Sequence, residues 1–144
     1  MSHIELSSPP SLDQVLEAVG RFYRNEVSTE KEAKQIAGKW LEGVQQSVFA
    51  WEIADQLLIR KNDVESCYYA AQTLRTKLQT SFNELPPDSY TALRNSIINH
   101  CKEINAKVIQ TQLALCLTYL AILGKIFILH WSLTIHNTFI LFSS

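Results

Sequence analysis

The sequence predicts an all-α fold built from paired helices, and three observations carry that expectation. Apolar residues recur at three- and four-residue steps along most of the chain, the spacing that places them on one side of a helix. Glycine and proline number four each, too few for a sandwich of short strands with a turn at every end. Polar caps and proline breaks divide the text into six helical segments followed by an apolar tail.

Residues 1–10, MSHIELSSPP, are polar and end on two prolines, which reads as a loose leader. They lack the basic start and apolar run of a secretory signal. Ser11 then caps a first helix, with Gln14 three residues on in the position that completes a capping box. Its stripe is Leu12, Val15, Leu16, Val19, Phe22 and Tyr23. Thr29 with Glu32 forms a second capping box, ahead of Ala33, Ile36, Trp40, Leu41 and Val44. Ser47 is the expected cap of a third helix, which presents Trp51, Ala54, Leu57 and Leu58. The polar stretch Arg60 to Asp63 interrupts it, and Asn62 with Glu65 is the expected cap of a fourth helix. That helix would bury Val64, Tyr68, Ala71, Leu74, Leu78 and Phe82. Leu85-Pro86-Pro87 ends it, because a residue before proline avoids the α conformation. Pro87 or Asp88 opens a fifth helix with Tyr90, Leu93, Ile97, Cys101 and Ile104. A sixth starts near Lys107 with Ile109, Leu113, Leu117 and Leu120.

Six helices make three pairs, starting near residues 11, 47 and 87, that is 36 and 40 residues apart. HEAT-type repeats recur at about 40–47 residues. One apolar stripe per pair must be covered by a neighbouring pair, which favours stacking. Periodicity by itself leaves an unrelated helical bundle equally open.

Composition narrows the function. A 47% hydrophobic and 19% charged chain of 144 residues can hold a real core. A net charge of −1 gives no footprint for nucleic acid, so no direct nucleic-acid partner is expected. Cys67, Cys101 and Cys116 are odd in number and far apart, which fits reduced core thiols better than disulfides. The histidines, His3, His100, His130 and His136, lack metal-site spacing, and no metal or cofactor is expected. His100 reads as a polar helix-face residue. No nucleophile elbow, Walker loop or dinucleotide fingerprint is present, and Asp63 and Glu65 beside Cys67 would make a poor thiolate nucleophile. The expectation is therefore not an enzyme. Trp40 and Trp51 read as core. The remaining face of the fourth helix, Glu65, Tyr69, Gln72, Thr73, Thr76, Lys77 and Thr80, suits a protein-binding rim or an ordinary solvated surface.

The segments SVFAWEIADQLL, DVESCYYAAQTLRTKLQTSF and LPPDSYTALRNSI stand within a collinear block from about Glu17 to Leu117. That block resembles the N-terminal part of the importin-β superfamily of nuclear import receptors, on the branch that carries serine/arginine-rich splicing factors. The resemblance implies a right-handed HEAT superhelix, with repeats at 11–47, 48–85 and 86–120. It also implies binding of the GTP-loaded small GTPase Ran through the second helix of each pair. Tyr69, Gln72, Thr73, Thr76 and Lys77 are the contact residues it points to, and a receptor working between cytoplasm and nucleus is the role.

The tail breaks the pattern. After Glu103 there is no Asp or Glu, and beyond Leu120 the text becomes GKIFILHWSLTIHNTFILFSS where the resemblance has faded. Residues 121–144 read as a divergent, irregular apolar tail with strand-favouring composition. A shortened receptor without most cargo-binding repeats is the first expectation. The second is a small membrane-anchored helical protein, since Ile109 to Leu129 is long enough to cross a bilayer and Lys125 could reach its surface. The third is a chain with no activity of its own, prone to aggregation through the tail.

Overall fold

The structure, a computed structural model, describes residues 5–24 and 31–143. Six α-helices follow in order: α1 (Leu12–Tyr23), α2 (Lys31–Gln46), α3 (Ala50–Arg60), α4 (Val64–Thr80), α5 (Tyr90–Glu103) and α6 (Lys107–Ser143). Two single turns of 3-10 helix, Phe82–Glu84 and Pro87–Ser89, link α4 to α5. No strand occurs among the described residues. Each helix of odd number packs on its successor, and α4 packs on both α2 and α6. Three stacked helix pairs result, the HEAT-like arrangement the spacing and the resemblance predict.

The boundaries follow from local chemistry. At α1 the capping box forms as expected: the Gln14 amide donates to Ser11 Oγ at 3.2 Å and the Ser11 amide donates to Gln14 Oε1 at 2.9 Å. The Thr29 cap and residues 1–4 of the leader lie outside the described residues; Leu6 of the leader packs against the core. Ser47 does not cap α3. The link from α2 is so tight that its hydroxyl donates back to the Val44 carbonyl at 2.6 Å, and α3 starts at Ala50 with no side-chain cap. At α4 the cap is Asp63, not Asn62. Lys61 ends α3 in the left-handed conformation (φ 49°), which leaves the extended Asp63 (φ −157°, ψ 170°) to meet the new helix. Its carboxylate accepts the Ser66 amide at 2.7 Å.

One continuous core runs from Val15 and Val19 through Leu41, Val44, Leu57, Leu58, Leu74 and Leu78 to Ile97, Leu113 and Leu120. The fourth helix is its centre, so it buries more than one stripe: Ser66, Cys67, Tyr69, Ala70 and Thr73 join Ala71, Leu74 and Leu78. Val64 and Ile36, both expected inside, are 56% and 62% exposed; Val64 is the first residue of α4, and Ile36 lies in the second turn of α2. Trp40 and Trp51 are half-buried at the core edge rather than within it.

The expected irregular tail is helical. With no proline after Pro87, α6 runs without a break through Gly124, and β-favouring composition yields to the helical ladder. Its first half seats Ile109, Leu113, Cys116 and Leu120 in the core. Gly124 is needed there: a Cβ would stand 2.5 Å from the Tyr90 hydroxyl, which donates to the Leu120 carbonyl at 2.7 Å. Beyond it Ile126, Leu129, Leu133, Ile135 and Phe139 are exposed. By length and composition, Lys107–Ile126 is apolar enough to cross a membrane, although one side of it is seated on α4 and α5.

Candidate protein-binding face

The site grows from how α4 is fixed. At its start, Arg24 Nη2 donates to Asp63 Oδ2 at 3.2 Å, and the Tyr23 and Tyr68 rings meet edge to face at 6.5 Å. Burial alone would raise the Asp63 carboxyl. Hydrogen bonds from Ser66 and Asn62, with the Arg24 charge, outweigh it and hold that carboxyl below its ordinary value. At its far end, the Lys77 ammonium meets Glu84, which also accepts the Trp51 indole N–H at 3.0 Å. One carboxylate thus ties α3, α4 and the linker together.

The five residues named from the sequence divide into two groups. Tyr69, Thr73 and Lys77 were expected on an open face and are instead buried, at 2%, 1% and 1% exposure. They form a polar seam against α2. The Tyr69 hydroxyl donates to the Leu41 carbonyl at 2.9 Å, and Lys77 Nζ reaches the Gln46 carbonyl at 3.3 Å. Thr73 Oγ1 accepts from Gln45 Nε2 at 2.9 Å and donates to the Tyr69 carbonyl at 2.7 Å. Burial pushes the Tyr69 phenol far above its ordinary value, so it stays a neutral donor. Because α2 packs on that side, the solvent arc is turned toward Gln72 and Thr76, which remain part-exposed.

The arc carries residues the sequence reading passed over. Arg75 and Gln79 follow Gln72 at three and seven residues and share its side of the helix. Gln79 is hydrogen-bonded to the Tyr119 hydroxyl on α6. Among the described residues, the buried Nε of Arg75 on α4 and the buried Oε1 of Gln112 on α6 have no hydrogen-bond partner. A three- and four-residue polar period was the available signal for Arg75. Gln112 gave none, since its place depends on the seam between α4 and α6. Between α1, α2 and α4, a groove of 190 Å³ is lined by Phe22, Leu41, Glu42, Gln45, Tyr69 and Gln72. It gives this face relief without enclosing a small molecule.

Cys67 and Cys116 are buried free thiols and Cys101 is part-buried. Burial leads in raising Cys67, Asp63 adds to it and Lys61 opposes; Cys116 is pushed up to about 12, mainly by burial. None is poised as a thiolate. His100, expected on a polar face, is 4% exposed, with Nε2 2.7 Å from Asp55 Oδ1. Ser96 stands beside them, but its hydroxyl donates to Asp55 Oδ1 at 2.5 Å. The Ser96 hydroxyl also lies 3.2 Å from His100 Nε2, and this trio fastens α5 to α3. Among the described residues no group of three or more His, Cys, Asp or Glu could hold a metal.

A family model described as the importin-beta N-terminal domain matches residues 37–102. Transportin MOS14 of Arabidopsis thaliana is 32% identical over 111 residues, which is 75% of this chain and 11% of the plant protein. Importin-13 of Homo sapiens is 28% identical over 116 residues, 78% of this chain and 12% of the human protein; importin-13 of Bos taurus gives the same figures. The chain therefore spans about a tenth of the length of the relatives it matches.

Proposed function

The chain belongs to the importin-β superfamily, and on that premise we propose that it provides the N-terminal part of a nuclear transport receptor and binds the GTP-loaded form of Ran. The single observation that carries the proposal is the placement of α4. The family match over residues 37–102 contains the whole helix, and its polar arc of Gln72, Arg75, Thr76 and Gln79 is left open between α2 and α6. Gln72 and Thr76 are the proposed contacts. Tyr69, Thr73 and Lys77 act beneath them by holding α4 on α2. The reading is of the transportin-3 type: serine/arginine-rich splicing factors as cargo, and a working range of cytoplasm and nucleus. The test is a pull-down of the full chain with Ran locked in either nucleotide state. Preferential retention of the GTP form supports the reading; equal retention of both forms, or of neither, removes it.

A second reading is favoured by the exposed half of α6. Ile126, Leu129 and Leu133 fall on one side of the helix, while Ile135 and Phe139 lie on the opposite side, about two and a half turns along from Ile126. A helix apolar on opposite sides belongs in a surround that covers all of it, and a bilayer does so. Residues 125–143 extend about 28 Å at about 1.5 Å each, against a hydrocarbon core of about 30 Å. In this reading the helical body is anchored to a membrane through distal α6.

A further inference from the structure

We propose that the groove at the root of the exposed half of α6 binds the headgroup of an anionic phospholipid; this rests on the reading of that half as membrane-embedded. The groove has a volume of 640 Å³ and lies between the α4–α5 linker, the start of α5 and the middle of α6. Its walls are apolar, from Phe82, Leu85, Pro86 and Tyr90. Two cations line it, Arg94 of α5 and Lys125 of α6, and no carboxylate does. The nearest acids in sequence are turned elsewhere or stand outside: Glu84 is bound to Lys77 and Trp51, and Asp88 does not line the groove.

Position and charge select the occupant. Arg94 and Lys125 are both exposed, and among the described residues neither forms an ion pair. Lys125 stands where α6 leaves the body: Gly124 is buried against Tyr90, and Ile126 is 57% exposed. The two cations therefore mark the level at which an embedded helix would pass from headgroups into hydrocarbon, where Lys and Arg hold anionic lipid. No acid follows Glu103, so nothing on α6 repels such a surface. A second copy of the chain would cover one side of the helix and leave either Ile126 or Ile135 wet. Free phosphate would satisfy the cations and leave the apolar walls unused, whereas a phospholipid offers both parts.

The test is cell-free synthesis of the full chain with vesicles, followed by flotation. One set is phosphatidylcholine alone and the other contains phosphatidylserine. The chain is expected on both, with binding to the anionic set stronger by about fivefold per cation, roughly 25-fold for two. Arg94→Gln with Lys125→Gln should float equally on both sets. The charge-preserving pair Arg94→Lys with Lys125→Arg should keep the preference. Equal flotation of the unaltered chain on both sets overturns the headgroup site while leaving the embedded helix standing. So does an anionic preference that survives in the glutamine pair. Flotation on neither set overturns the embedded helix itself, and the site with it.

Discussion

Lys77 Nζ, on a side chain only 1% exposed, lies 2.9 Å from the Glu84 carboxylate, itself 30% exposed. A cation without its partner in that position would remain buried and uncompensated. Breaking a fully buried pair costs about 3–5 kcal/mol. Glu84 keeps some solvent, so Glu84→Ala should cost roughly 2–3 kcal/mol in urea unfolding. Lys77→Met, which keeps the stem and removes the charge, should cost less. The opposite order would show that packing of the lysine stem dominates this joint.

Tyr69 makes the same argument with a neutral group. Its hydroxyl serves the Leu41 carbonyl, and Tyr69→Phe removes that bond across the seam while the carbonyl keeps its partner within α2. The expected loss is about 1–2 kcal/mol, read from the denaturation midpoint with an unchanged slope. A neutral outcome would mean water reaches the seam between α2 and α4.

The Asp63 cap gives a pH dependence with a defined sign. Its folded-state value lies below the ordinary 3.8, so the folded state favours the carboxylate. That contribution is whole above about pH 4 and is lost as pH falls through the folded-state value. Asp63→Asn can still cap but lacks the charge that Arg24 pairs with. It should therefore be less stable than the unaltered chain at neutral pH, by about 0.5–1 kcal/mol, and the gap should close in acid. A gap independent of pH would assign the effect to hydrogen bonding alone.

The helices were legible because each carries a period, and the pairing was legible because each stripe exceeds what one helix can cover alone. What the sequence hid depended on neighbours. The face of α4 was read as one buried stripe and one open face, which holds for a helix at the surface. Lying between α2 and α6, it buries Tyr69, Thr73 and Lys77 as well, and polar residues there are satisfied by carbonyls of α2 that no local pattern announces. His100 was misread for the same reason: Asp55 is 45 residues away. The tail was misjudged on composition, since strand propensity expresses fit to a sheet and no sheet is present among the described residues.

Gly124 tests whether the middle of α6 is held by close approach. Gly124→Ala would favour an isolated helix by about 1 kcal/mol. Here its Cβ would meet the Tyr90 hydroxyl at 2.5 Å and displace its bond to Leu120. A net loss of about 1–2 kcal/mol is expected in thermal unfolding. Gly124→Ala combined with Tyr90→Phe should recover part of it, because the clashing atom is gone. A simple stabilisation by the single variant would mean that Tyr90 turns away without cost.

The division of α4 into seam and arc decides how Ran binding should be probed. Removing Lys77 would lower retention by loosening the helix, and that result could not be told from loss of a contact. Gln72→Ala with Thr76→Ala touches only part-exposed side chains, so unfolding free energy should change by no more than about 0.5 kcal/mol. If the arc is the contact, the same pair should weaken retention of GTP-loaded Ran by about tenfold, about 1.4 kcal/mol. Tyr69→Phe, despite its larger cost to stability, should leave Ran affinity within about twofold at temperatures where the fold persists, since its hydroxyl is spent on Leu41. Full affinity in the arc pair, with loss only in the seam variant, would move the binding surface off α4.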